Sequence, residues 1–179
     1  MELKIEDTKI CLIKGDITLE ETDAIVNAAN TSLRGGGGVD GAIHSAGGPK
    51  IKEECIQKYP NGCETGEARV TSGGLLKARF VIHTPGPIWR GGGQNEAELL
   101  AKSYRNSFHM AELVGAQSIA FPSISTGVYG YPIQLASKIA LDTVLECLPS
   151  NAVREVHFVL FTERDYLVYQ TWLSKKKLE

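Results

Sequence analysis

The sequence predicts an α/β domain whose largely parallel sheet is covered on both faces, and three observations carry that expectation. Short apolar runs of strand length alternate along the chain with longer stretches whose apolar residues recur at helical spacing. The run at 156–161 (VHFVLF) is apolar almost throughout, as in strands buried on both faces. Two glycine-rich stretches, 34–44 (RGGGGVDGAIH) and 123–132 (SISTGVYGYP), each follow a strand candidate and lead into a helix candidate. In open α/β sheets such turns gather on one rim, where ligands bind.

The elements follow in order. A strand is predicted at 10–14 (ICLIK), ended by Gly15 and Asp16, and a second at 24–26, running into Asn27-Ala28-Ala29-Asn30. Asn is a poor strand former and a good turn residue, so Asn27 is expected to tie down the turn. Helices are predicted at 39–46 and 49–59, the second stopped by Pro60-Asn61-Gly62. Strands at 68–72 and 80–84 flank a Gly73-Gly74 turn, and Pro85-Gly86-Pro87 breaks the chain. Residues 96–114 carry Leu99, Leu100, Phe108, Ala111 and Val114 at helical spacing. A strand at 118–121, a helix at 133–148, the strand at 156–161 and a last helix at 164–175 complete the reading. With no internal repeat and no linker, residues 1–179 read as one domain, long enough for a hydrophobic core.

Composition excludes several classes. With 42% hydrophobic and 22% charged residues, the chain is globular and not disordered. A net charge of −2 argues against charge-driven nucleic-acid binding, and the run 175–177 is the one basic cluster. No apolar run is long enough to cross a bilayer, so no membrane partner is expected. Cys11, Cys55, Cys63 and Cys147 follow no metal-like spacing, and no signal peptide precedes the first strand candidate. The expectation is a cytoplasmic protein with reduced thiols. Cys63 lies in a turn with no histidine motif beside it, and His83 reads as a satisfied core residue.

Four consecutive glycines are costly to order, which suggests a loop that something approaches closely. Followed by a helix start, they make an anion site from free N–H groups and the positive dipole end. A glycine run alone reads equally as a mobile surface loop. Neither a Walker sequence nor a clean GxGxxG fingerprint is present, which disfavours ordinary nucleotide hydrolysis. Two backbone-rich loops facing each other across a crevice suit a diphosphate.

Residues 15–18 (GDIT), 25–30 (IVNAAN), 35–44 (GGGGVDGAIH), 81–84 (VIHT), 88–100 (IWRGGGQNEAELL) and 121–132 (FPSISTGVYGYP) together resemble the macrodomain family, MacroD type. The similarity is closest to bacterial members described as O-acetyl-ADP-ribose deacetylases. It implies a three-layer α/β/α fold with a mixed, largely parallel sheet of six strands, and a rim crevice for ADP-ribose. The implied ligands are ADP-ribose, O-acetyl-ADP-ribose and proteins mono-ADP-ribosylated on acidic side chains, with no metal or redox cofactor. The implied reaction hydrolyses an ester on the distal ribose. A reader module that binds ADP-ribose without turning it over is the alternative.

Matching motif to motif, the resemblance implies that Asp16 accepts from the adenine amino group beside the Ile17 backbone, although an Asp after a strand also caps turns. Gly35, Gly36, Gly37, Gly38 and Val39 form one wall. Ser125, Thr126, Gly127 and Val128 form the diphosphate loop, and Tyr129 lies over the distal ribose. Phe161 either lines the adenine end or is a buried strand aromatic. Asn30 and Asp40 match the ribose and catalytic positions, with His44 one helical turn beyond to orient Asp40. The helix dipole favours a charged Asp40, so it is read as polarising a water, with a substrate phosphate oxygen sharing the proton transfer. The other reading is that it only caps its helix. A side chain at Gly37 is expected to block substrate and spare the fold. Two departures from the family pattern, at 73–78 (GGLLKA) and Pro85, lie outside the proposed ribose site.

Overall fold

The structure, a computed structural model, describes residues 1–178. Seven strands form one sheet: β1 (Glu2–Ile5), β2 (Thr8–Lys14), β3 (Ala24–Ala29), β4 (Arg69–Ser72), β5 (Phe80–Pro85), β6 (Ser118–Phe121) and β7 (Glu155–Leu160). Their spatial order is β1-β2-β7-β6-β3-β5-β4, with antiparallel pairs only at the two edges. The expected six strands become seven. Residues 2–5 (ELKI) alternate polar and apolar over too few positions to signal a strand, and pairing Glu2 with Cys11 on β2 supplies the rest.

Five helices cover the sheet: α1 (Gly38–Gly47), α2 (Pro49–Lys58), α3 (Glu96–Leu113), α4 (Ile133–Glu146) and α5 (Glu163–Leu178). Strand alternation decides which face each residue serves. Ile10, Leu12, Val156, Phe158 and Leu160 pack against α3, α4 and α5, around a cluster that includes Tyr104, Phe108 and Tyr169. Ile25, Val81, Ala120 and Val159 meet Ile43 of α1 and Ile51 of α2 on the other face. The result is three helices, sheet, two helices. No helix among the described residues is long and apolar enough to cross a membrane.

One boundary matters for the site. β3 does not open into a turn at Asn27; it runs to Ala29, because it pairs with β5 through Ala29↔Pro85. Asn27 is therefore an interior strand residue, fully buried, directly opposite His83. Pro85, the departure noted above, ends β5, where a residue without an N–H is tolerated.

Candidate functional site

The loop after β3 leads to α1 on one face of the sheet, and the loop after its neighbour β6 leads to α4 on the other. That divergence is a topological switch point, and a crevice of about 560 Å3 opens there. Around it the fold gathers Asp16, Ile17, Asn30, Gly36, Gly37, Gly38, Val39, Asp40, Ser125, Thr126, Gly127, Val128, Tyr129 and Phe161. Residues from four separate stretches thus meet in one place.

The glycine wall ends at α1. Gly37 is the N-cap and offers no side chain to the first turn, so the helix presents bare N–H groups to the crevice. Asp40 lies in that turn, 5% exposed. Its Oδ1 accepts from Asn27 Nδ2 at 2.8 Å and lies 3.3 Å from His44 Nε2. Its Oδ2 lies on the side of Gly36, 3.0 Å from where a Cβ on Gly36 would stand. Asp40 therefore makes no cap hydrogen bond to its own helix, against the reading that it only caps; the sheet beneath holds it.

Asn30 uses its amide on the loop. Nδ2 donates to the Gly35 carbonyl at 2.9 Å, and Oδ1 accepts from Ser32 Oγ at 2.7 Å and from the Leu33 N–H at 3.2 Å. One N–H and little acceptor capacity remain for a ligand, so the side chain shapes the glycine loop as well as facing the crevice.

Opposite, the 123–131 loop is tied to the core. Tyr104 donates to the Pro122 carbonyl and accepts from the Ile124 N–H, and Tyr131 N–H closes back on Ser125 at 2.9 Å. The Ser125 Oγ is buried without a partner among the described residues. The Trp89 N–H donates to the Tyr129 carbonyl at 2.8 Å, and its ring packs on Tyr131 at 4.6 Å. Glu96 fixes the loop carrying Trp89 by accepting from the N–H groups of Arg90, Gly92 and Gln94. Burial pushes the Glu96 pKa up, and these three bonds outweigh it to hold the group below its ordinary value.

At the far end, Asp16 does cap a short 3₁₀ turn, with Oδ1 taking the Thr18 N–H at 2.9 Å and hydroxyl at 2.7 Å. Its cap role and its place in the crevice coexist. Phe161 lines the crevice and is not a buried strand aromatic: β7 stops at Leu160, and the residue is 80% exposed on the rim. Two further assignments shift. Gly35 and His44 do not line this crevice; they border a smaller hollow of about 290 Å3 behind the glycine loop. Gly35 is held there by Asn30 on its carbonyl, and His44 lies a full helical turn past the crevice, reaching it only through Asp40. Asp165 and Gly86 line the crevice without a prior expectation. A glycine between Pro85 and Pro87 was the available sign of close approach.

His83 is a core residue, as expected, yet it is connected to the site. Nδ1 lies 3.1 Å from Asn27 Nδ2, and Nε2 lies 2.9 Å from Thr71 Oγ1. Burial, with His44 nearby, pushes its pKa down to about 4. The unfolded histidine takes up its proton near pH 6.5, so between pH 6.5 and 4 the unfolded state binds the extra proton. Stability accordingly falls as pH drops through that window, by about 2 kcal/mol from this residue between pH 6.5 and 5. Urea melts at the two pH values check this: His83→Gln should show a shallower loss than wild type.

The four cysteines are free, and burial pushes Cys55, Cys63 and Cys147 up to about 11, which leaves Cys63 inert as a nucleophile at neutral pH. Among the described residues, Cys11, Glu155 and His157 alone bring three metal-type ligand atoms within 4.8 Å of one another. None of them lines the crevice, and Lys9 already reaches Glu155 at 3.7 Å.

Comparison with known families matches residues 26–140 to the Macro domain. A macro domain-containing protein of Caldanaerobacter subterraneus subsp. tengcongensis is 56% identical over 163 residues, 90% of this chain and 93% of that one. A Citrobacter rodentium protein named O-acetyl-ADP-ribose deacetylase is 50% identical over 173 residues, 95% of this chain and 98% of that one. Among solved structures, the Oceanobacillus iheyensis macrodomain mutant G37V with ADPR superposes with a TM-score of 0.95 at 47% identity, covering 100% of this chain and 99% of that one.

Proposed function

The chain belongs to the Macro domain family, and from that premise we propose that it binds ADP-ribose in the switch-point crevice and hydrolyses esters on the distal ribose. Its substrates on this reading are O-acetyl-ADP-ribose and proteins carrying mono-ADP-ribose on acidic side chains, which present the same ester to the site. The free thiols fit the reducing, cytoplasmic setting expected above.

The observation that carries the reading is Asp40: a buried carboxylate at the crevice wall with one oxygen fastened and the other on the crevice side. A module that only reads ADP-ribose has no need of it. In the reaction, the dipole of α1 and the N–H groups of the 123–131 loop hold the diphosphate. Asp40 Oδ2 accepts a hydrogen bond from a water and aims its oxygen at the ester carbonyl carbon. The new C–O bond forms as the ester C–O bond breaks, the acid leaves, and the water proton passes through a diphosphate oxygen to the ribose oxygen. Asp40 polarises and positions the water, while Asn30 keeps the glycine loop against the ribose.

Acetate release from O-acetyl-ADP-ribose, measured beside ADP-ribose binding by calorimetry, tests this. Turnover with binding is the expected result. Binding without release would mark a reader, and no binding would remove both readings.

A further inference from the structure

We infer that Asn27 and His83 are positioning residues for Asp40: a buried hydrogen-bond chain crossing one face of the sheet fastens Oδ1 and thereby makes Oδ2 the working oxygen. The inference rests on the hydrolase reading above and extends it to residues outside the crevice.

The chain can be assigned donor by donor. Asn27 faces Asp40 Oδ1 at 2.8 Å through one end of its amide. Were the amide turned over, its carbonyl oxygen would face a carboxylate oxygen, acceptor against acceptor; the charge on Asp40 therefore fixes Nδ2 at this position. The same Nδ2 lies 3.1 Å from His83 Nδ1. An amide nitrogen has hydrogens and no acceptor, so His83 Nδ1 must accept and the ring proton must sit on Nε2. That proton goes to Thr71 Oγ1 at 2.9 Å, and the Thr71 hydroxyl donates to the Ser72 carbonyl at 3.0 Å. Each hydrogen along this line has an acceptor, and the Cys55 sulfur stands off from Nε2 at 3.9 Å. The line from β4 through β5 and β3 ends on Asp40.

The register that builds it is specific. Asn27 and His83 are direct partners in the β3–β5 ladder and point to the same face, under α1. Both Asn27 amide hydrogens are committed, and this orientation leaves Asn27 Oδ1 buried with no partner among the described residues. An orphaned buried acceptor destabilises a fold. An apolar residue at 27 would avoid that; asparagine there makes sense if both hydrogens are needed, one for His83 and one for Asp40. His44 Nε2 adds a second contact to the same oxygen, Oδ1, from the helix side. Oδ2 is left beside Gly36.

Three measurements test this. Imidazole 15N NMR of the wild-type protein at neutral pH should show His83 as the neutral Nε2–H tautomer; an Nδ1–H tautomer or an imidazolium overturns the chain, whatever the activity. His83→Phe and Asn27→Leu should lower kcat for O-acetyl-ADP-ribose by about tenfold to hundredfold, with ADP-ribose Kd held within about threefold. Unchanged kcat, or affinity lost in step with it, overturns the positioning role. In an Asp40→Ala background His83→Phe should remove nothing further, because its effect runs through Asp40; a further loss of about tenfold overturns it. If wild type releases no acetate, the hydrolase reading fails, and the tautomer still decides whether the chain exists.

Discussion

Asp40→Ala is expected to reduce acetate release by about a hundredfold to ten-thousandfold while ADP-ribose binding survives. The separation follows from where the residue sits. The crevice walls are backbone: the start of α1, the glycine loop and the 123–131 loop, none of which depends on the Asp40 carboxylate for its path. The carboxylate instead fills one point of the wall, with Oδ1 fastened to Asn27 and His44. Truncation leaves one Asn27 Nδ2 hydrogen short of an acceptor, which lowers stability modestly. It also frees the diphosphate from a nearby negative charge, so affinity for ADP-ribose should hold or rise. Single-turnover acetate release, calorimetry with ADP-ribose and a thermal melt together check the claim. A variant that binds and hydrolyses as wild type would show that the carboxylate has only a structural role.

Gly36→Val should be nearly as damaging because it displaces the catalytic groups, whereas Gly37→Val should leave those groups in place and obstruct the crevice. A Cβ on Gly36 would lie 3.0 Å from Asp40 Oδ2 and 3.4 Å from Asn30 Nδ2, so valine's two further methyls must displace one or both. A shift of about 1 Å at such a group lowers rate on the order of a hundredfold. At Gly37 a Cβ meets nothing within 4 Å, and the backbone, at φ −92°, accepts any residue. Gly37 lines the crevice, so a valine there would occupy ligand space without displacing a protein group, whereas at Gly36 the protein's own catalytic wall is in the way. Gly41 matters for the same geometry: a Cβ there would sit 2.6 Å from the Gly36 carbonyl, so its absence lets the loop lie flat on α1. Parallel measurement of kcat and ADP-ribose Kd for the two valine variants distinguishes them. Gly36→Val should lose kcat and Gly37→Val ADP-ribose affinity, and normal hydrolysis by Gly37→Val would show that no close approach is made there.

How far the sequence reached can be judged residue by residue. The alternation of strands and helices placed every helix and six of the seven strands, because periodicity is a local property of the chain. Glycines before a helix, with Asp40 in its first turn, announced the crevice wall for the same reason. Asn27 was misread as a turn residue because its local preference is for turns; pairing with β5 as far as Ala29 overrode that preference. Phe161 looked like a strand residue because apolar periodicity does not say where a ladder stops. Gly35 and His44 lie near crevice residues in sequence and yet border the smaller hollow: Gly35 precedes α1 with its carbonyl held by Asn30, and His44 sits a full helical turn beyond Asp40.

The sequence by itself determined the α/β fold, the two glycine-rich loops on one rim, and the identity of the carboxylate between them. Only the tertiary structure decided which oxygen of Asp40 is fastened and which faces the crevice. That choice depends on Asn27 meeting His83, 56 positions away, across two parallel strands. A register is fixed by the packing of whole faces, and no local run of residues encodes it.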